Sequence, residues 1–220
     1  MIDYVWLIPV LPLLGAIING LVGIRFPKSL VGFIGSTAIF LSFLVACSIF
    51  WEILQLPADA RVVQVIAYKW IPCGDLQVNI GFLVDALSLV MMLTVSGVSF
   101  LIHVYSIGYM HDDPGFRRYF TYLNLFVFFM LTLVSANSFL LMFVGWEGVG
   151  LCSYLLIGFW YQNKAPADAG KKAFIVNRIG DYGFILAMML IFVVFGTLDF
   201  IPVFQDAPGR FHGGELTVVL

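Results

Sequence analysis

The sequence predicts an all-α polytopic membrane protein, and three observations predict it. Of 220 residues, 61% are hydrophobic and only 11% are charged, where a soluble domain has roughly 45–50% apolar and about 25% charged residues. The mean hydropathy is +1.01. Apolar runs long enough to cross ~30 Å of hydrocarbon recur along the whole chain. The pattern specifies six complete transmembrane helices, the start of a seventh, and a short extracytoplasmic β-hairpin between the second and third helices.

The first helix is expected at residues 4–24. Its amino end carries Asp3 rather than a basic residue, and its apolar run is longer than a signal-peptide core, so it reads as a retained helix. The others are expected at residues 30–54, 82–109, 119–135, 138–160 and 171–195. An apolar run begins at Leu216 and stops at Leu220, as in a fragment or a truncated reading frame in which a seventh helix is just starting. Residues 61–68 and 76–82 carry β-branched residues on either side of the turn sequence Pro72-Cys73-Gly74-Asp75, which predicts the hairpin. Three parts follow: helices one and two in 1–56, the hairpin, third helix and following loop in 57–118, and the remainder in 119–220.

The connections after helices one, three and five hold Arg25, Lys28, Arg117, Arg118, Lys164, Lys171 and Lys172, against Arg61, Lys69 and Arg210 after helices two, four and six. The positive-inside rule then places the first set in the cytoplasm and the amino terminus and hairpin outside. Trp6, Trp51 and Trp160 fall near predicted helix ends, as interfacial Trp should. The net charge of −2 without basic runs argues against a nucleic-acid partner. Cys47, Cys73 and Cys152 are too dispersed for a metal or redox motif, and no glycine-rich nucleotide motif follows a strand.

Charge inside the membrane is expensive and marks function by default. Glu147, in Gly145-Trp146-Glu147-Gly148-Val149-Gly150, lies nine residues beyond Ser138, about 13 Å along a helix and close to the midplane. A carboxyl group there is either protonated for much of the time or faces a cation or water, and both conditions suit a proton carrier. The alternative is a neutral, hydrogen-bonded glutamate that holds two helices together. The flanking glycines admit a close neighbouring helix or water. Arg178 and Asp181 stand three apart on the sixth helix, on one face where they can pair. They are expected about 10 and 15 Å from its cytoplasmic end. Two readings stay open for them: a self-satisfied structural pair, or a pair that tunes the proton affinity of Glu147. His103 on the third helix is either a proton relay or a hydrogen-bonded packing residue. Asp85 and Glu52 fall at helix ends, and no lysine of this chain reaches the midplane.

The run from Gly145 to Phe159 (GWEGVGLCSYLLIGF), the motif Asn177-Arg178-Ile179-Gly180-Asp181, and Phe100-Leu101-Ile102-His103-Val104-Tyr105 followed by Tyr109-Met110 resemble the antiporter-like L (chain 5) subunits of respiratory complex I, NADH:quinone oxidoreductase. The resemblance runs from the first helix to Leu220. It implies inverted helical repeats, the first beginning at the fourth helix, so that 119–220 is the start of the proton-translocating domain. It also implies that Glu147 is essential for proton translocation and pairs with a lysine on the seventh helix, which this chain does not reach. Asp181 is implicated in pumping with Arg178 beside it, and His103 is the weakest of the four candidates. No cofactor is expected in this chain; NAD, FMN, iron–sulfur clusters and quinone belong to other subunits. The implied partners are the other membrane subunits, lipid and protons, in a bacterial inner (plasma) membrane or, if organellar, a mitochondrial or plastid one. The alternative is an ion-exchanging subunit of a multisubunit Na⁺/H⁺ antiporter, and a membrane scaffold is a third reading.

Overall fold

A computed structural model describes residues 1–57, 60–73 and 76–210 of the chain. Six helices in it are long and apolar enough to cross a membrane, as the hydropathy pattern requires. Of the expected turn at Pro72-Cys73-Gly74-Asp75, Pro72 and Cys73 are instead the last residues of the hairpin's first strand, while Gly74, Asp75 and the apolar run at 216–220 lie outside the described residues.

The first span, Ile2–Arg25, is not one regular helix. It contains α1 (Leu7–Ile17), a π-helical turn at Ile18–Val22 and a 3₁₀ turn at Gly23–Arg25. Pro12 removes a backbone donor within α1. The π turn follows and carries the fully buried Asn19, whose Nδ2 donates to the Val31 carbonyl at 3.1 Å. Pro27 forces the preceding Phe26 into an extended conformation (φ −100°, ψ 146°), which ends the first span. α2 (Lys28–Leu54) returns across the membrane. The Ser42 hydroxyl donates to the Ile8 carbonyl at 2.7 Å and ties it to α1, and Glu52 accepts from the backbone N–H of Ile2 at 3.1 Å.

The hairpin forms at the expected place and is longer. β1 (Val63–Cys73) pairs antiparallel with β2 (Leu76–Val84) through two register shifts. Residues 82–84, expected at the start of the third helix, belong instead to β2. The helix begins only after Asp85, because Asp85 and Ser88 close a reciprocal capping box. The Ser88 N–H donates to Asp85 Oδ1 at 2.7 Å and the Asp85 N–H to Ser88 Oγ at 2.9 Å. α3 then runs Ala86–Tyr109.

α4 (Phe116–Ser135) is the hub, packing against α1, α2, α3 and α5. Phe116, Phe120, Asn124, Val127 and Leu131 recur every three or four residues and are buried toward the first three helices. The opposite face meets α5 (Phe139–Ile157). A Cβ placed on Gly145 would fall 2.7 Å from the Leu133 backbone, and one on Gly148 would fall 2.1 Å from the Phe129 ring. These two glycines therefore set the distance between α4 and α5. Gly150 has open space around its Cα, so the glycine run is not uniform in purpose.

α6 spans Lys164–Phe195, seven residues more at its start than expected. Lys164, Asp168, Lys171 and Lys172 make its first turns polar, so a hydropathy window starts too late. α6 packs on α5 and is the least buried of the six spans. It ends at Gly196, whose φ of 71° is the left-handed stop for a helix. A further helix, α7 (Phe200–Arg210), follows where only a loop is expected from the sequence.

The short turn at 136–138 gathers one end of the bundle. Asn137 Oδ1 accepts from the Gly81 N–H at 3.1 Å, and Asn137 O accepts from the Phe200 N–H at 3.1 Å. Ala136 bridges Phe82, and Ser138 bridges Asp199. The hairpin, the α4–α5 turn and the start of α7 are thereby locked together.

Gly145→Ala and Gly148→Ala should each destabilise the protein by ~1–3 kcal/mol through overpacking, whereas Gly150→Ala should be neutral. Thermal unfolding of the purified membrane protein, read by loss of monodisperse species on size exclusion, checks this. Equal behaviour of the three variants would contradict the packing.

Candidate functional site

Glu147 is the ninth residue of the nineteen in α5, so its carboxyl group lies near the middle of the span. Its nearest cation is Arg178, whose Nη1 makes an ion pair and hydrogen bond to Glu147 Oε2. The Glu147 side chain is 21% exposed and that of Arg178 is 51% exposed. Glu147 Oε1 is buried without a hydrogen-bond partner among the described residues. The carboxylate is thus half satisfied, with one oxygen free to receive a proton.

The expected Arg178–Asp181 pairing does not form. Arg178 turns across the helix interface to Glu147 and lies 4.9 Å from the Phe174 ring. Asp181, only 6% exposed, instead accepts from the indole Nε1–H of Trp146 at 2.8 Å. The reason is position: Glu147 and Trp146 are adjacent on α5, and they present two complementary partners to two residues three apart on α6. Each charged or polar group then finds a partner on the other helix rather than on its own. Asp181 still acts electrostatically on Glu147, so three ionisable groups share one locus.

The earlier start of α6 also moves this locus. Arg178 and Asp181 stand 14 and 17 residues beyond Lys164, about 21 and 26 Å along the helix, rather than 10 and 15 Å. That depth is what lets Arg178 reach the midpoint of α5. Aromatic contacts support the locus on one side. Phe143 stacks on Phe184 with centroids 5.3 Å apart, and Trp146 on Phe184 at 6.3 Å. Sequence reasoning misses the role of Trp146. Its signal is an indole N–H beside an intramembrane carboxylate, a donor that usually finds an acceptor when buried.

His103 belongs to a different cluster. It is fully buried on α3, and its ring packs edge-on to Phe120 at 5.8 Å. His103 Nδ1 lies 2.7 Å from the Ser99 carbonyl, which can only accept, so Nδ1 carries the proton. Nε2 then accepts from Asn124 Nδ2 at 3.2 Å, and Asn124 Nδ2 also donates to the Phe120 carbonyl at 2.9 Å. The imidazole is neutral in this arrangement. α4 stands between His103 and the Glu147 locus, since α3 packs on α2 and α4 while α5 packs on α4 and α6. Among the described residues no group of three or more His, Cys, Asp or Glu side chains is placed to hold a metal ion.

Comparison with known proteins agrees with this architecture. A family profile described as NADH-ubiquinone oxidoreductase (complex I), chain 5 N-terminus, matches residues 70–120. One described as NADH:quinone oxidoreductase/Mrp antiporter, TM, matches residues 136–218. The chain is 46% identical over 205 residues to NADH-quinone oxidoreductase subunit L of Mycobacterium tuberculosis (strain ATCC 25618 / H37Rv), covering 93% of this chain and 32% of that protein. It is 41% identical over 210 residues to NADH-ubiquinone oxidoreductase chain 5 of Rhizopus stolonifer, covering 96% and 31%. The chain therefore spans about a third of the length of these relatives. Among solved structures, the Mrp complex from Dietzia sp. DQ12-45-1b contains a chain with a TM-score of 0.80 at 21% identity, covering 98% of this chain and 22% of that one. A chain of the archaeal membrane-bound sulfane sulfur reductase aligns with a TM-score of 0.76 at 21% identity, covering 90% and 38%. These structural likenesses speak to the fold.

Removing the indole donor should cost more than removing the charge it serves. Trp146→Phe leaves a buried Asp181 carboxylate unpaired and should destabilise by ~1–3 kcal/mol, while Asp181→Asn keeps an acceptor oxygen and should cost little. Thermal unfolding of the two variants side by side checks the order; the reverse order would remove the hydrogen bond from the account.

Proposed function

Since this chain belongs to the L-subunit and chain 5 family of antiporter-like membrane proteins, we propose that it is part of a proton-translocating subunit of NADH:quinone oxidoreductase. In this reading, electron transfer from NADH to quinone in other subunits drives protons across the membrane through this one. The observation that carries it is the ion pair between Glu147 and Arg178 at mid-membrane, with Asp181 held beside it by Trp146.

The chemistry follows from that arrangement. Ionised Glu147 is tolerated because Arg178 compensates its charge. A proton arriving on Oε1 neutralises the carboxyl group and removes the attraction that holds the guanidinium. Asp181, three residues along α6 from Arg178, is then the remaining carboxylate for that cation. A swing of Arg178 between the two acids couples the protonation of Glu147 to a charge movement along α6. In this reading His103 serves as a separate relay on the far side of α4, with Nε2 as the atom that takes the proton. Residues 1–56 and 57–118 form the flanking unit, and 119–220 opens the translocating domain. The amino terminus and hairpin face away from the cytoplasm, in a bacterial plasma membrane or its organellar counterpart. Flavin, iron–sulfur clusters, nicotinamide and quinone are bound by partner subunits in this reading.

The family profile over residues 136–218, whose description names the Mrp antiporter beside the oxidoreductase, supports a second reading, an ion-exchanging component of a Na⁺/H⁺ antiporter. Identity supports the first reading over it: 46% to the oxidoreductase chain, compared with 21% to the Mrp chain. Flavin and iron–sulfur absorbance in the purified native assembly distinguishes the two, and their absence would favour the antiporter.

Glu147→Gln should abolish proton pumping by the intact complex while NADH oxidation in detergent persists, and Asp181→Asn should weaken pumping less. Dye-quench measurements in proteoliposomes check both. Full pumping stoichiometry in the Gln variant would exclude Glu147 as a carrier.

A further inference from the structure

The end of the bundle where α4 begins and α5 finishes carries a cavity that the Glu147 locus does not use. Its volume is about 330 Å³, and it is bounded by α4, the last turn of α5 and the first turns of α6. Arg118, Tyr122, Tyr154 and Lys171 line it, with Phe159 and Ala167 in its apolar wall. Among the described residues no carboxylate lines it.

Arg118 is held in place but not neutralised. Its Nη2 donates to the Phe159 carbonyl at 2.8 Å, and its guanidinium lies 4.6 Å from the Phe159 ring and 5.1 Å from the Tyr161 ring. Its Nε is buried with no acceptor among the described residues. Nor does any described carboxylate lie within ion-pair distance of it. The neighbouring acid, Asp113, is already committed, with Oδ1 accepting from the Gly115 N–H at 2.6 Å and Oδ2 from Trp160 Nε1 at 2.9 Å. Lys171 has only a loose contact of 3.9 Å with the exposed Asp168. A guanidinium half withdrawn from water, with an unused donor and no counter-ion, is poised for an anion with several acceptor oxygens.

The position says which anion. Tyr161, 60% exposed, lines this cavity and Trp160, 48% exposed, precedes it in the chain, placed as interfacial aromatics are. The cavity joins two cations to an apolar wall where the α4 and α6 spans begin and α5 ends, the arrangement that basic pockets between spans use for anionic lipids. We propose that this cavity binds the phosphate of an anionic phospholipid, with Arg118 and Lys171 as its cations. The lipid stitches α4 to the first turns of α6, two helices that pack on α5 rather than on each other.

The test uses the whole assembly that carries this chain, reconstituted in nanodiscs, with a spin-labelled phosphatidylglycerol as the probe. Lys172→Gln, next to Lys171 but outside the cavity lining, is the control. Arg118→Gln and Lys171→Gln should each weaken retention of the probe about fivefold, and Lys172→Gln should not. Arg118→Lys should retain the probe better than Arg118→Gln, which separates lost charge from lost folding. Spin-labelled phosphatidylcholine should show no dependence on either residue, and millimolar inorganic phosphate should not displace the anionic probe. Unchanged retention in Lys171→Gln and Arg118→Gln overturns the proposal, and displacement by inorganic phosphate overturns the lipid as its source. The readout is lipid occupancy, so it stands apart from any result on pumping.

Discussion

The carboxylate of Glu147 can exist halfway along α5 because Arg178 meets it from α6. A lone charge in hydrocarbon costs several kcal/mol, and a buried pair recovers that only when geometry and further hydrogen bonds are good. This requirement places α6. Among the described residues that helix packs on α5. The ion pair, the Trp146–Asp181 hydrogen bond and the stacking of Phe143 and Trp146 on Phe184 all fall on the same stretch. Aromatic pairs of this kind contribute about 0.5–1.5 kcal/mol each beyond area burial. One polar locus thus does two things: it holds a helix and it leaves a carboxyl oxygen available.

On its other face α5 is held by shape alone. In a bilayer there is no hydrophobic driving force between helices, and small residues at the contact supply the close packing instead. Gly145 and Gly148 bring α5 against Leu133 and Phe129 of α4. α4 in turn buries its opposite stripe against the first three helices. The Glu147 locus is therefore mounted on a tightly packed slab, and α6 brings the cation to it.

A second polar node sits deep in that slab. His103, Asn124 and Asn19 are each fully buried at the junction of α3, α4 and the π turn of the first span. The node lies one helix away from Glu147. Its hydrogen bonds fix the tautomer of His103, while the carboxamide oxygens of Asn19 and Asn124 are buried without a hydrogen-bond partner among the described residues. Gly35 accommodates it, since a Cβ there would fall 2.8 Å from Asn124 Nδ2. Asn124 carries a readable signal, a carboxamide near the middle of a largely apolar helix, but nothing in the linear sequence says that its partner is His103.

Much is legible from the chain alone. The six spans follow from hydropathy because a bilayer leaves the backbone no choice but a helix. The hairpin follows from alternation and β-branching, and Glu147 stands out because a carboxylate is rare in such a run. Helix ends are less legible. The polar first turns of α6 hide its true start, and the capping box at Asp85 shifts the start of α3, since both are set by hydrogen bonds rather than by hydropathy. The partners are not legible at all. Spacing of three along α6 makes Arg178 and Asp181 look like a pair, but an ion pair forms wherever the complementary group is nearest. Only the packing of α5 on α6 decides that Arg178 goes to Glu147 and Asp181 to Trp146. Sequence determines which charges enter the membrane; the crossing of helices determines which of them meet, because that depends on distance in three dimensions.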